Sequence, residues 1–148
     1  MKWHDFLSSV LPLLTMAPYY RNEPFGSIID NELYPAYQSR QYALEQGKDK
    51  NVYAFVSWAI ITPDILDDIK KTFRPLKVDD WQSGKGQDNA IVFFNDFVAP
   101  FGNCKTMTDY LDKEFFANTD IDAYSRHTKW DDDGHCTHQH IARWRRKL

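Results

Sequence analysis

The sequence predicts one domain of the α/β or α+β class, in which helices cover a β-sheet. Segments with helical spacing of apolar residues alternate along the chain with segments rich in β-branched and aromatic residues. Two of the strand-like segments, VYAFVSWA and IVFFNDFV, are apolar almost throughout, which is typical of central strands covered on both faces. With 148 residues, the chain has the usual length of one domain, and we expect a single unit spanning residues 1–148.

The first half of the chain predicts two helices and a hairpin. Apolar residues at helical spacing, from Trp3 to Leu14, indicate an amphipathic first helix that is broken or kinked by Pro12 and ends before Pro18. Pro24 is expected in the first turn of a second helix, whose apolar residues are Ile28, Ile29, Leu33 and Tyr37. Residues 40–45 and 51–59 are strand-like and flank a Gly-Lys-Asp-Lys turn, which favours an antiparallel hairpin.

The second half continues with a helix, a central strand, and further elements. Thr62-Pro63-Asp64 is a helix start, with a hydroxyl cap, a first-turn proline and an acid. A glycine-rich polar loop then leads to the strand at residues 91–98, and a helix should follow that carries Met107, Tyr110, Leu111 and Phe115. Residues 120–124 are interpreted as a short strand, and residues 137–148 as a final basic helix.

Composition excludes several functional classes. The net charge of −3 and the pI near 5.9 disfavour a nucleic-acid role, because phosphate binding depends on clustered cations. Two cysteines are too few for a secreted disulfide framework, and the N-terminus lacks a signal-peptide pattern. The apolar run LPLL is far too short to cross a membrane. We therefore expect a cytoplasmic protein without a membrane span.

Asp96 is the first candidate functional residue, because it interrupts an otherwise apolar central strand. A carboxylate there is costly unless it has a partner or a chemical task. The alternative is a structural aspartate that caps nearby backbone donors. The strand is followed by Pro100, Gly102 and then a helix, and a helix start favours anionic groups.

Three sequence blocks resemble one family. They are SWA at residues 57–59, DDWQSG at residues 79–84 and NDFVAPFG at residues 95–102. Their order and approximate spacing are similar to the SWA, DDWxSG and DWIAPFG segments of the toxin-activating lysine acyltransferases encoded in RTX toxin operons. The resemblance covers residues 18–122.

The resemblance implies a GNAT-like fold with a mixed, largely antiparallel sheet flanked by helices. Members of this family transfer a fatty acyl group from acyl-acyl carrier protein to internal lysines of a protoxin in the cytoplasm. It therefore implies two partners, the acyl carrier protein and a lysine-bearing target similar to an RTX protoxin, and no permanently bound cofactor. Homodimers are known in the family.

The proposed catalytic pair of the family is an aspartate in the DWIAPFG segment and a histidine near the N-terminus. The aspartate corresponds to Asp96, whereas Tyr20 stands where the histidine is expected. A tyrosine has an unperturbed pKa near 10 and is a poorer general base at neutral pH than a histidine, whose pKa is about 6.5. A phenol at this position can instead donate a hydrogen bond to the leaving thiolate or to the oxyanion.

Further residues are expected to bind the acyl donor. Arg21 is expected to contact a phosphate of the carrier's phosphopantetheine arm, and the alternative is a solvated loop arginine. Ser57 is expected to form a hydrogen bond within the site, and Trp58 to line the acyl groove. Their alternatives are a strand serine bonded to the backbone and a core tryptophan. The loop Phe101, Gly102 and Asn103 would present backbone N–H groups to the thioester carbonyl.

Competing interpretations concern a metal site, a different nucleophile and different classes of protein. His135, Cys136, His138 and His140 lie near three aspartates, but their spacing fits no standard zinc pattern, and we expect no metal. Cys104 at a helix start is an alternative nucleophile. A catalytically inactive interaction protein that binds a carrier or a target is the main rival to the enzyme. An N-acyltransferase that uses acyl-CoA would need a longer, basic pyrophosphate loop.

Overall fold

A computed structural model describes residues 1–17, 20, 22–102, 104–117 and 119–145 of the chain. Five strands form one sheet in the order of the chain: β1 (Tyr42–Gln46), β2 (Val52–Ile61), β3 (Ile91–Val98), β4 (Asp122–Trp130) and β5 (Cys136–Arg145). The helices are α1 (Trp3–Leu14), α2 (Phe25–Ile28), α3 (Tyr34–Ser39), α4 (Pro63–Thr72) and α5 (Cys104–Tyr110). A π-helical turn, Ile29–Leu33, joins α2 to α3, and another, Leu111–Phe115, continues α5.

The sheet is mixed and mostly antiparallel, which confirms the predicted α+β class with a GNAT-like arrangement. Strands β1 and β2 form the predicted hairpin, β3 runs antiparallel to β2, and β5 runs antiparallel to β4. Among the described strands, β3 with β4 is the one parallel pair, and its register extends only from Ile91 opposite Asp122 to Phe94 opposite Ser125. Beyond these four positions the two strands separate, and the separation opens a cleft in the sheet.

Helices cover both faces of the two central strands, as their apolar sequences predict. On one face, α4 packs on Ala59, Ile61 and Phe93. On the other face, α5 and its π-helical extension place Met107 and Leu111 against residues of β2 and β3. A third cluster joins α1 to the far end of the sheet through the fully buried Phe6, Val10 and Phe55.

The predicted start and stop signals of three helices can be compared with the structure. Thr62 precedes α4 with extended backbone and Pro63 opens the helix, as predicted. Pro12 lies inside α1, and the helix continues past it to Leu14, so it does not break the helix; α1 ends before Pro18 as predicted. Pro24 differs slightly, because it caps α2 from outside and Phe25 is the first helical residue.

The predicted final helix at residues 137–148 is wrong: residues 136–145 form β5. Ile141 and Trp144 are three residues apart and would share one face of a helix, but they pack on opposite faces of the sheet. The turn at Asp131–Gly134 closes a hairpin with β4, which is also longer than the predicted strand at residues 120–124. Pairing with β4 decides the outcome, because tertiary contacts override the local helical preference of the segment.

Among the described residues, no helix has both the length and the apolar character that crossing a bilayer requires.

Candidate active site

The cleft between the diverging ends of β3 and β4 has a volume of about 480 Å³. One wall is β3 from Phe94 to Val98, and the opposite wall is β4 at Ser125–Thr128 and Trp130. Its remaining lining comes from the N-terminal segment, α5, β5 and the loop after α4, through Ala17, Tyr20, Pro75, Cys104, Thr108 and Trp144. This volume is in the range typical of small-molecule and cofactor sites.

A β-bulge shapes the β3 wall. Asp96 pairs with Ser57 and Phe94 pairs with Trp58, so Asn95 is an extra residue without a partner across β2. Because of the bulge, Phe94 packs in the cluster under α5, whereas Asp96 faces Tyr20 on the side of α1. Bulges are common beside active sites, where they redirect a side chain.

Asp96 is buried, with 6% of its surface exposed, and its carboxylate lines the cleft. Tyr20 donates its phenolic O–H to Oδ1, while the Asn95 amide donates to Oδ2 at 3.2 Å and Ser57 Oγ lies 3.5 Å from Oδ2. All three of these groups are side chains, in contrast to the backbone capping considered as the alternative. Burial raises the pKa of Asp96 to about 6, and the hydrogen bonds from Tyr20, Asn95 and Ser57 oppose that rise.

The structure therefore brings together the two residues predicted to be catalytic. Tyr20 is also buried, with 6% of its surface exposed, and it packs with the cluster under α1. Tyr20 and Asp96 both line the cleft, and the Tyr20 hydroxyl is hydrogen-bonded to the Asp96 carboxylate.

The predicted donor-binding residues are more scattered. Ser57 is fully buried behind Asp96, and Trp58 packs edge-on against Phe94, Phe115 and Phe116 in the core. Phe101 is exposed and contacts the Tyr53 ring, and Gly102 has φ 84° in the turn before α5. Within the described ranges, none of these four residues lines the cleft. The predictions for Arg21 and Asn103 fall outside the residues that the structure describes.

Sequence reasoning missed the β4 wall. Ser125 Oγ lies 3.0 Å from Nε2 of His127, and both residues line the cleft. Arg126 donates to the carbonyl oxygens of Phe73 and Arg74, at 2.7 and 2.5 Å, and so fastens the end of α4 to β4. The alternation of Ser125 and His127 would have revealed this wall only if the strand had been predicted to continue past residue 124.

Glu32 is the other missed residue. It lies on the π-helical turn between α2 and α3, and only 8% of its surface is exposed. The Asn95 amide donates a hydrogen bond to its Oε2. Burial, followed by the negative charge of Asp96, raises the pKa of Glu32 to about 8. No sequence signal singled it out, because one glutamate on an amphipathic helix normally faces solvent.

The competing candidate residues are the histidines and aspartates around the β4–β5 turn and the thiol of Cys104. Asp131, Asp133 and His135 are exposed and close together, and Asp131 Oδ1 accepts the backbone N–H groups of Asp133 and His135, which accounts for it as a turn residue. His138 and His140 lie along β5, where His140 stacks on His127 at 5.2 Å between ring centroids. Cys104 is an exposed free thiol at the cleft.

A mixed sheet whose one parallel pair separates into a cleft, with helices on both faces, defines a GNAT-like protein with a buried carboxylate at its site. The chain belongs to the RTX toxin acyltransferase family (HlyC), whose family model matches residues 1–145. This membership confirms the resemblance carried by the SWA, DDWxSG and APFG segments.

Curated relatives agree with the family assignment. The chain is 30% identical over 109 residues to a protein-lysine myristoyltransferase RtxC of Kingella kingae, covering 74% of this chain and 61% of that protein. It is 32% identical over 111 residues to a protein-lysine myristoyltransferase HlyC of Escherichia coli, covering 75% and 61%. A lysine-acyltransferase RtxC of Vibrio cholerae is 23% identical over 112 residues, covering 76% and 69%. The chain thus spans about three fifths to two thirds of the length of these relatives.

Proposed function

We propose that this protein is a protein-lysine acyltransferase that moves a fatty acyl group from acyl-acyl carrier protein to internal lysines of a target similar to an RTX protoxin. The observation that carries the proposal is the buried Asp96 carboxylate, held by side-chain donors at the wall of an open cleft. Family membership and the names of the lysine acyltransferase relatives support the reaction class.

The reaction requires a neutral amine, because a lysine ammonium has a pKa near 10.4 and cannot attack a carbonyl carbon. Asp96, ionised above a pKa of about 6, accepts a proton from the incoming ammonium. The amine nitrogen then forms a C–N bond to the thioester carbonyl carbon, and the C–S bond breaks. The carrier leaves as a thiol after taking up the second proton of the amine.

Tyr20 has two roles in this scheme. Its O–H donates to Asp96 and stabilises the ionised carboxylate, which sets the pH at which the base becomes available. When Asp96 takes up a proton, the same hydroxyl can donate to the oxyanion or to the departing sulfur. This assignment gives the phenol a donor role where the family has a basic imidazole.

The cleft supplies apolar walls for an acyl chain. Phe94 and Phe97 come from β3, Trp130 from β4 and Trp144 from β5. Trp144 packs edge-on against Phe94 at 4.9 Å between ring centroids, which makes a rigid aromatic surface. Asp96 and Tyr20 line the same cleft as these aromatic residues, so a thioester bound beside Asp96 would have apolar side chains nearby for its acyl chain.

The second candidate function is binding without catalysis. The observation that favours it is that Tyr20 occupies the histidine position and its hydroxyl already contacts the carboxylate. Such a protein would bind an acyl carrier protein or a lysine-bearing target in the cleft without transferring the acyl group.

One assay separates the two candidates. Radiolabelled fatty acyl-acyl carrier protein is incubated with an RTX-type target and with wild type, Asp96→Ala or Tyr20→His. We expect label on the target with wild type and none above background with Asp96→Ala. Label only with Tyr20→His would show that residue 20 disables an otherwise intact site. Carrier binding without transfer by all three proteins would favour the binding-only protein.

Tyr20→Phe is expected to shift the pH dependence of transfer. Loss of the O–H donor removes an interaction that lowers the pKa of Asp96, so this pKa should rise above about 6. The acid limb of kcat/KM should therefore move to higher pH, and activity at pH 6.5 should fall more than activity at pH 8. Tyr34→Phe, which alters an exposed tyrosine, is the control. An unchanged acid limb would show that Tyr20 does not set the charge of Asp96.

A further inference from the structure

The site contains a second buried carboxyl group that the mechanism above does not use. Glu32 lies on the π-helical turn Ile29–Leu33, which interrupts the helical segment between Phe25 and Ser39. π-Helical turns within helices occur frequently at functional sites. A glutamate with 8% exposure is unusual, because ionised side chains are rarely buried without a partner.

Its partner is the amide group of Asn95, which it shares with Asp96. The nitrogen Nδ2 of Asn95 donates to Oε2 of Glu32 and, at 3.2 Å, to Oδ2 of Asp96. A primary amide has two N–H groups, one for each carboxyl group. Asn95 is also the extra residue of the bulge in β3, so its side chain is oriented by these two contacts rather than by regular pairing with β2.

A small cavity of about 130 Å³ lies on the Glu32 side of this bridge. Tyr20 and Pro75 line both this cavity and the main cleft. Asp96 lines the main cleft, whereas Glu32 lines the small cavity and not the cleft. Glu32 is therefore located behind the cleft, where it can act on Asp96 without touching a substrate.

We propose that Glu32 is a positioning residue of the active site, which orients the Asp96 carboxylate through the Asn95 amide. The proposal deepens the function proposed above and rests on it, since it assigns to Glu32 a part in the same acyl transfer. It gives the Asn95 side chain a defined orientation and explains why a carboxyl group is buried on the π-helical turn.

The charge of Glu32 follows from the groups that face it. These are Asp96 and Asn95 from β3, Glu23 from the segment before α2, Arg126 from β4 and Tyr20 at the shared cavity wall. Burial and the charges of Asp96 and Glu23 raise its pKa to about 8, against the lowering effects of Asn95 and Arg126. Because the pKa of Glu32 is raised above that of Asp96, Asp96 ionises first as the pH rises, and the bridged pair then carries a single negative charge.

The titration of the Glu32 carboxyl group can be followed by ¹³C NMR, because the chain has only four glutamates, at positions 23, 32, 45 and 114. With ¹³C-carboxyl glutamate, Glu32→Gln identifies the resonance of interest, and Glu114→Gln, which alters an exposed residue, is the matched control. We expect the resonance that Glu32→Gln removes to titrate with a midpoint near 8 in the wild-type protein. A Glu32 midpoint in the ordinary range for a glutamate, near 4, would overturn the proposal.

Two further variants test the bridge itself. Asp96→Asn removes the neighbouring negative charge and should lower the Glu32 midpoint, whereas Asn95→Ala removes a hydrogen bond to the ionised form and should raise it. A Glu32 midpoint that responds to neither substitution would contradict the coupling. These titrations need no acyl transfer, so they decide on the pair even if the proposed function fails.

Kinetics then test the effect on catalysis. We expect Glu32→Ala to lower kcat/KM at pH 7 about tenfold, within the range for loss of an orienting partner. Glu32→Gln should recover most of that loss, because its side-chain carbonyl can still accept the Asn95 N–H. The pH profile of kcat/KM for Glu32→Gln should also lack the ionisation near pH 8 that we expect for the wild-type protein. Equal rates and identical pH profiles for wild type and both variants would overturn the positioning role while leaving the proposed function in place.

Discussion

Asp96→Asn is expected to lower kcat/KM for acyl transfer at pH 7.5 by at least about 100-fold, the lower end of what a positioned general base contributes. The amide has nearly the same shape as the carboxylate, so the surrounding packing should be kept. It cannot accept a proton from the lysine ammonium, which is the step assigned to Asp96. Steady-state transfer rates over a range of target concentrations would measure the change.

The control for this prediction is Asp88→Asn, which makes the same chemical change at an exposed position in the loop before β3. Its transfer rate should equal that of wild type. Circular dichroism and thermal unfolding would verify that Asp96→Asn is folded. A folded Asp96→Asn protein that keeps more than about half of the wild-type activity would rule out the base role of Asp96.

Gly84→Ala is expected to destabilise the fold by roughly 3 kcal/mol, the upper end of the range for overpacking. The loop containing Gly84 runs against β2, where its N–H donates to the Ile60 carbonyl oxygen at 2.8 Å. An added Cβ would lie 2.4 Å from the Ile61 carbonyl oxygen, which is backbone and cannot move aside. Chemical denaturation of wild type and variant at 25 °C would give the difference in unfolding free energy.

Gly26→Ala is the matched comparison, because the substitution is chemically identical and a Cβ there meets nothing within 4 Å. Gly26 lies in α2, where alanine restricts the unfolded chain more than glycine, so a gain of about 0.5 kcal/mol is expected. Equal effects of the two substitutions would show that the close approach of the loop to β2 does not limit residue 84.

The sequence predicted the central sheet and most helices because their signals are local. Strands β2 and β3 are nearly continuous apolar runs, and Thr62-Pro63 carries its own helix start. Strand β5 could not be predicted in this way, because its two faces are defined only by pairing with β4. The local sequence of residues 136–145 is compatible with a helix and with the second strand of a hairpin. Pairing with β4 determines which of the two forms.

The candidate site was predictable in part for a similar reason. Asp96 was found because a carboxylate in an apolar strand is anomalous by itself, and Tyr20 because a family resemblance pointed to its position. Glu32 was not, since its burial depends on the π-helical turn and on the bulge at Asn95, neither of which has a reliable sequence signature. The His127 wall was missed because β4 was predicted too short.

The most direct test of the central claim is site-resolved mass spectrometry of the target after incubation with wild-type protein and acyl-acyl carrier protein. The proposed function predicts a mass increase equal to the acyl group on one or more internal lysines. The linkage should resist hydroxylamine, as an amide does and a thioester does not. A target whose lysines stay unmodified while wild-type protein and acyl carrier protein form a complex would contradict the enzyme and establish the binding-only alternative.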